Sequence, residues 1–237
     1  TRRPRTISRA PAKDRARATS RPRIRLGGGH NRPAVGGGPL PREFYARGVC
    51  RVARALLGHV LVHETAQGVA AGRIVEVEAY GGENDPASHA SPGRTERNAS
   101  MFGDPGHAYV YLSHGLHHCF NVVTGRRSKA AAVLVRALEP RSGLSLMASR
   151  SQSRDTRQIT PGPGCVAEAL AIDRAHDGMD LTRGPLWISR ARLRAGSERI
   201  EGSARVGIRL GLDRRWRFFL KSSRPSPSPR PRRATRR

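Results

Sequence analysis

Residues 72–89 read GRIVEVEAYGGENDPASH. Ile74, Val75 and Val77 come in quick succession, and such β-branched residues suit a buried strand. Glu78, Tyr80 and His89 follow, so the end of an apolar strand delivers a carboxylate, a phenol and an imidazole into a polar, glycine-rich stretch. A glutamate interleaved with Ile and Val either has hydrogen-bonding partners or has chemical work, because an unpaired buried carboxylate is strongly unfavourable. Taken alone, a satisfied structural glutamate is the plainer reading. The neighbours have to decide.

Working outward, residues 59–63 (HVLVH) form a second strand, joined to the first through a loop around 66–68. Before it, Phe44, Val49, Val52, Ala53, Leu56 and Leu57 recur at helical spacing, predicting one or two amphipathic helices over 41–57 that end at Gly58. Residues 81–98 are polar, with Pro86 and Pro92, and read as a long surface loop. Residues 109–123 (YVYLSHGLHHCFNVV) read as a β-hairpin turning at His114 and Gly115. The run AAVLVRAL at 131–138 is a strand buried on both faces and broken by Arg136. Beyond it come a helix at 143–149, a charged loop at 150–158, a PGPG turn at 161–164 and a helix at 166–172. Short strands are expected at 186–189, 205–208 and 217–221. Strands linked by hairpins and irregular loops describe a single mixed α+β domain better than a doubly wound one.

The ends differ from this middle. Residues 1–40 hold 11 basic side chains and one acid, Asp14, with two glycine runs and almost nothing that could form a core. Residues 222–237 carry six arginines among serines and prolines, and no acid. Both are expected to be disordered basic segments flanking a domain at 41–221. Lys and Arg total 44 against 18 Asp and Glu, a formal net charge of +26. Setting aside +10 and +6 for the two ends leaves +10 on the domain itself. A self-repelling charge of that size calls for an anionic partner, and nucleic acid is the first candidate. No apolar run approaches the roughly 18 residues of a spanning helix, and no apolar segment near the start reads as a signal peptide. Cys50, Cys119 and Cys165 are odd in number and form no CxxC pair, which fits free thiols in a reducing compartment. A soluble, cytoplasmic protein that associates with nucleic acid and has no membrane partner is expected.

Several kinds of chemistry drop out. The glycine runs lack the lysine and following helix of a phosphate loop, and the serines form no nucleophile elbow. His107, His114, His117, His118 and Cys119 crowd one hairpin, but His117 and His118 point to opposite strand faces and leave only scattered ligands on each. No metal and no cofactor is expected. What remains is Glu78, Tyr80 and His89, then Tyr109, Tyr111 and Asn121, then Arg136. Aromatic faces stack on bases, a lone carboxylate can activate water, and a buried-strand arginine needs an anionic or carbonyl partner. Together they describe a pocket for an unstacked base beside a hydrolytic centre, set against a plain nucleic-acid-binding domain whose tyrosines only pack.

These residues resemble the alkyladenine (3-methyladenine) DNA glycosylases. The resemblance is carried, in that family's order, by LPREFYARGVCRVARALLGHVLV, GRIVEVEAY with a histidine nine positions after Tyr80, and RNASMFGDPGHAYVYLSHGLHHCFNVV. VLVRALEP, the PGPG turn with ALAID, and a late RVGI complete it, over roughly residues 39–222. It implies a curved antiparallel β-sheet flanked by helices, a protruding DNA-binding β-hairpin, and monofunctional hydrolytic excision of alkylated or deaminated purines. The substrates it implies are 3-methyladenine, 7-methylguanine and hypoxanthine in double-stranded DNA, within base excision repair. By position, Glu78 would be the general base and Arg136 would hold the water or the Glu78 carboxylate. Tyr80 would stack on one face of the flipped base, with His89 and Tyr111 on the other. Asn121 would crowd groups that normal guanine carries.

The chemistry is coherent on the residues themselves. Cleaving an N-glycosyl bond develops positive charge on the sugar, which an ionised carboxylate stabilises while it deprotonates the attacking water. A base made cationic by alkylation leaves without a second acid. Glu76 rivals Glu78, since the two share a strand face and their titration would be coupled if both were dry. Where the family commonly has an aromatic wedge at the hairpin tip, this chain has His114, which offers less stacking area. A two-residue turn would also pair Tyr111 with His118 and put Asn121 on the opposite face from Tyr111, so a bulge or a longer loop is expected. The alternative function is a non-catalytic nucleic-acid-binding protein that recognises damaged or distorted duplex.

Overall fold

The computed structural model describes residues 37–151, 159–190 and 198–221. The expected basic segments therefore lie almost wholly outside the described residues. So does most of the expected charged loop at 150–158. Pro39 and Leu40, counted above with the N-terminal arm, are held by the domain. Pro39 bridges to Ser189, and Leu40 is buried with its N–H donating to the Ile188 carbonyl.

Two short helices, α1 (Arg42–Tyr45) and α2 (Val49–Leu56), open the fold. Val52, Ala53 and Leu56 fall on the buried face of α2, and Gly58 stops the helix with φ at 87°, a left-handed conformation that glycine adopts freely. Strands β1 (Val60–Thr65) and β2 (Gly68–Tyr80) follow as a hairpin. Next come β3 (Ala108–Ser113), β4 (His117–Thr124) and β5 (Ala131–Ser142), then α3 (Leu144–Arg150) and α4 (Pro163–Ala169). The chain closes on β6 (Leu186–Ser189), β7 (Ile200–Ser203) and β8 (Arg217–Leu220). All strand pairs are antiparallel. The order is β3-β4-β5-β2-β1-β6, with β8 joining both β2 and β7. The fold is α+β, built on one curved antiparallel sheet. Among the described residues no helix is long and apolar enough to cross a membrane.

Strand periodicity divides the sheet into two working faces. Val110, Phe120, Val122, Val133 and Val135 point to one side, where they join α2 and α4 in the main core. Tyr109, Tyr111, Cys119, Asn121, Leu134 and Arg136 alternate with them and line a cavity on the other side. β2 is the hinge of this arrangement. Its register against β5 shifts on both sides of Glu76, where one edge of β2 passes from pairing with β1 to pairing with β8. Such irregularities bend a strand and re-aim its side chains.

Four sequence expectations need correction. β5 is not broken at Arg136 but runs through it, because Glu76 and Glu78 on β2 meet the guanidinium in the sheet. The expected strand at 205–208 is absent; the strand forms at Ile200–Ser203, and Arg205 turns inward to a buried carboxylate. The expected helix at 166–172 is Pro163–Ala169, started by Pro163 in its first turn. The 81–98 loop is more ordered than expected. It contains a 3₁₀ turn at Gly82–Asn84 and leads into another at Glu96–Phe102.

That loop is fastened by Asp85, fully buried with Arg205. Asp85 Oδ1 accepts from Arg205 Nη2 at 2.8 Å, and its carboxylate also accepts from the N–H groups of Gly81 and Ala87. Burial by itself pushes the Asp85 carboxyl up, but Arg205 and these donors outweigh it and hold the carboxyl below its ordinary value. Asp85→Ala would leave a buried guanidinium uncompensated, and we expect it to lower stability by about 3–5 kcal/mol in urea unfolding. A loss below about 1 kcal/mol would contradict this account of the loop.

Candidate active site

The hairpin β3–β4 sets the cavity wall. Ser113 accepts a hydrogen bond from the Leu116 N–H at 3.0 Å, and His114 and Gly115 have φ of 51° and 72°. This is the primed turn of a two-residue hairpin, with His114 tolerating a left-handed backbone better than a branched residue would. Leu116 is one residue more than that turn needs. The ladder resumes at Ser113 opposite His117, so Tyr111 faces Cys119 and Tyr109 faces Asn121. The extra residue removes the parity conflict: Tyr109, Tyr111, Cys119 and Asn121 all share the cavity face.

The cavity has a volume of about 640 Å³, within the range of small-molecule pockets. Tyr80, His89, Tyr111, Asn121 and Arg136 line it, and His114 stands at its edge. The sequence-predicted residues are thus brought together, with Glu78 just beneath them. Glu78 is fully buried. Its Oε1 accepts from the Val206 N–H at 2.8 Å, its Oε2 accepts from the Tyr80 hydroxyl at 2.8 Å, and Oε2 lies 3.3 Å from Arg136 Nη1. Burial raises the Glu78 carboxyl above its ordinary value, while Arg136 and the two hydrogen bonds pull it back.

Glu76 has different company. Its Oε1 accepts from Arg136 Nε at 2.9 Å and from Arg217 Nε at 2.6 Å. Two guanidinium groups balance Glu76, and Arg136 spans both carboxylates. Of the two, Glu78 is the one bonded to Tyr80 and Val206, which line the cavity along with Arg136.

The aromatic walls are also fixed from behind. Arg205 stands 4.8 Å from the centre of the Tyr80 ring, and Trp216 flanks the same guanidinium at 5.4 Å. Opposite, His89 meets Tyr111 edge-on with ring centres 4.4 Å apart, and its Nδ1 is 2.9 Å from the Tyr109 hydroxyl. Burial, and then Arg97, lower the His89 pKa, so its imidazole is neutral at physiological pH. Asn98 holds the backbone beside His89, donating to the carbonyls of His89 and Gly93 at 2.8 and 2.9 Å. Asn121 donates its amide N–H groups to the Tyr109 and Cys119 carbonyls. That fixes the amide, and its Oδ1 accepts nothing from the described residues.

Asp85, Asn98, Arg205, Val206, Trp216 and Arg217 were not picked out as site residues from the sequence. Asp85 and Asn98 looked like loop residues, and Val206 contributes only a backbone N–H, which no side-chain pattern reveals. Arg205 and Val206 left a trace only inside the RVGI block, and Asn98 only inside RNASMF. Among the described residues, no three His, Cys, Asp or Glu side chains converge as metal ligands.

A sequence family described as Methylpurine-DNA glycosylase (MPG) matches residues 43–224. The chain belongs to this family. A relative from Carboxydothermus hydrogenoformans is 45% identical over 185 residues, covering 78% of this chain and 96% of its own. One from Rhodopseudomonas palustris strain HaA2 is 47% identical over 192 residues, covering 81% and 92%. A third, from Methanoculleus marisnigri, is 47% identical over 187 residues, covering 78% and 96%. All three carry the name "Putative 3-methyladenine DNA glycosylase". As a family member the protein is a DNA glycosylase, a hydrolase of N-glycosyl bonds in DNA repair.

A carboxyl raised by burial stabilises the fold most when protonated, so its contribution is full below pH 4.5 and fades as pH rises through the raised value. Glu78→Gln should therefore gain stability relative to the parent protein between pH 4.5 and neutrality, measured by denaturant titration across pH. A difference that stays flat with pH would contradict the burial of this charge.

Proposed function

We propose that this enzyme excises 3-methyladenine, 7-methylguanine and hypoxanthine from double-stranded DNA, acting as a monomer without metal or cofactor. Base excision repair of chromosomal DNA would place it inside the cell. The observation that supports this is an aromatic-walled cavity directly above one buried carboxylate, with an arginine bridging that carboxylate to its neighbour.

In this reading the damaged nucleotide is rotated out of the duplex into the cavity. Its base lies between Tyr80 on one side and His89 with Tyr111 on the other. His114 enters the gap left behind. The Oδ1 of Asn121 faces the edge of the base and crowds the exocyclic group that guanine carries there. Glu78 takes a proton from a water as the water oxygen bonds to C1′ of the sugar, and Arg136 holds that water or the carboxylate in register. The bond from C1′ to the base nitrogen breaks, its electron pair goes to the base, and an abasic sugar remains.

An alkylated base is cationic and leaves neutral, so no general acid is required. Hypoxanthine carries no such charge and should leave more slowly. The ionised Glu78 also opposes the positive charge that develops on the sugar. A damage-binding protein without catalysis would gain nothing from burying this charge, and the family's activity speaks against that alternative.

Glu78→Gln should lower the single-turnover rate of hypoxanthine or 3-methyladenine excision by about 10²–10⁴, read as alkali-sensitive abasic product. A rate near that of the parent enzyme would remove Glu78 from the mechanism.

A further inference from the structure

The cavity has two rims. One is the hairpin tip with His114; the other is the segment after Arg205, where Arg209 and Leu210 border the same cavity. Gly207 and Gly211 both hold left-handed backbone, with φ of 76° and 65°, and bracket Ile208, Arg209 and Leu210 as a short finger. Its base is fixed: the Val206 N–H is bonded to Glu78, and Arg205, paired with Asp85, donates to the Gly211 carbonyl at 3.4 Å.

Its end is not packed. Leu210 is 60% exposed, and Arg209 is exposed with no ion-pair or hydrogen-bond partner among the described residues. In the hairpin turn, two positions after His114, Leu116 is 74% exposed. An exposed leucine and an unpaired guanidinium contribute little to the fold, yet Arg209 and Leu210 both border the pocket. A guanidinium suits a phosphate, and a leucine is a common wedge in a DNA groove. The small imidazole of His114 leaves room for such help.

We propose that the 207–211 finger is a second DNA-contacting element that works against the hairpin tip. Arg209 holds a phosphate beside the flipped nucleotide, and Leu210 packs into the groove against the sugar next to the gap. This rests on reading the cavity as the base pocket. The finger is anchored to the general base itself through Val206, so DNA seated on it is tied to the position of Glu78.

The test measures binding in a Glu78→Gln background to three duplexes: undamaged, carrying hypoxanthine, and carrying a stable tetrahydrofuran abasic site. Arg209→Gln should reduce the slope of log Kd against log salt by about one on every duplex. Leu210→Ser should weaken abasic-site binding by about tenfold while changing undamaged-duplex binding by less than about twofold. Thermal midpoints equal to the parent's would show that both variants fold. An unchanged salt slope, or abasic-site binding equal to the parent's, overturns the proposal. Failure of the pocket reading is distinguishable, because it appears instead as undiminished excision by Glu78→Gln with the finger intact.

Discussion

A single guanidinium, that of Arg136, joins two carboxylates in the middle of a sheet, and the cavity is arranged around that contact. Glu76 and Glu78 are both almost completely buried. Two like charges on one strand face could not both ionise there without a cation between them. Arg136 arrives from β5 through its Nε and Nη1 and meets both. Arg217, from β8, then takes a second share of Glu76. The division of charge follows: Glu76 draws two arginines to its Oε1, while Glu78 keeps one arginine, one phenol and one backbone N–H. The less compensated carboxylate lies beneath the cavity.

A second buried pair does for geometry what Arg136 does for charge. Asp85 and Arg205 tie the loop after β2 to the segment before β8, with Arg205 against the rear of the Tyr80 ring. The same segment delivers the Val206 N–H to Glu78. The Tyr80 ring and the Glu78 carboxylate therefore share one anchor. Buried ion pairs are weak evidence for stability, since desolvation offsets much of the attraction. Here the pair fixes the position of groups that are otherwise held only by loops.

Much of this was legible in the sequence, and the failures have particular causes. β-branched runs and helical spacing located β1, β2, β5 and α2, because their side chains pack on one or both faces. That Glu78, Tyr80, His89, Tyr111, Asn121 and Arg136 would meet at one cavity was legible because each sets a polar or aromatic group in a strand or loop position. The hairpin shows where local reading stops. Its turn at His114 and Gly115 was readable, and the parity conflict demanded an extra residue, but only the ladder identifies Leu116 as that residue. Arg136 was misread as a strand breaker because its compensation comes from another strand. Arg205 was misread as a strand residue because Asp85, 120 positions away, draws it inward.

The central claim is that an ionised, buried Glu78 is the base for excision. The most direct measurement is the pH dependence of single-turnover excision of 7-methylguanine, whose positive charge removes the need for a general acid. The account predicts that the rate falls tenfold per pH unit below one midpoint lying above 4.5, and that Glu78→Gln leaves a slow rate without that limb. An acid limb that survives in Glu78→Gln, or a parent rate independent of pH down to 4.5, would contradict it.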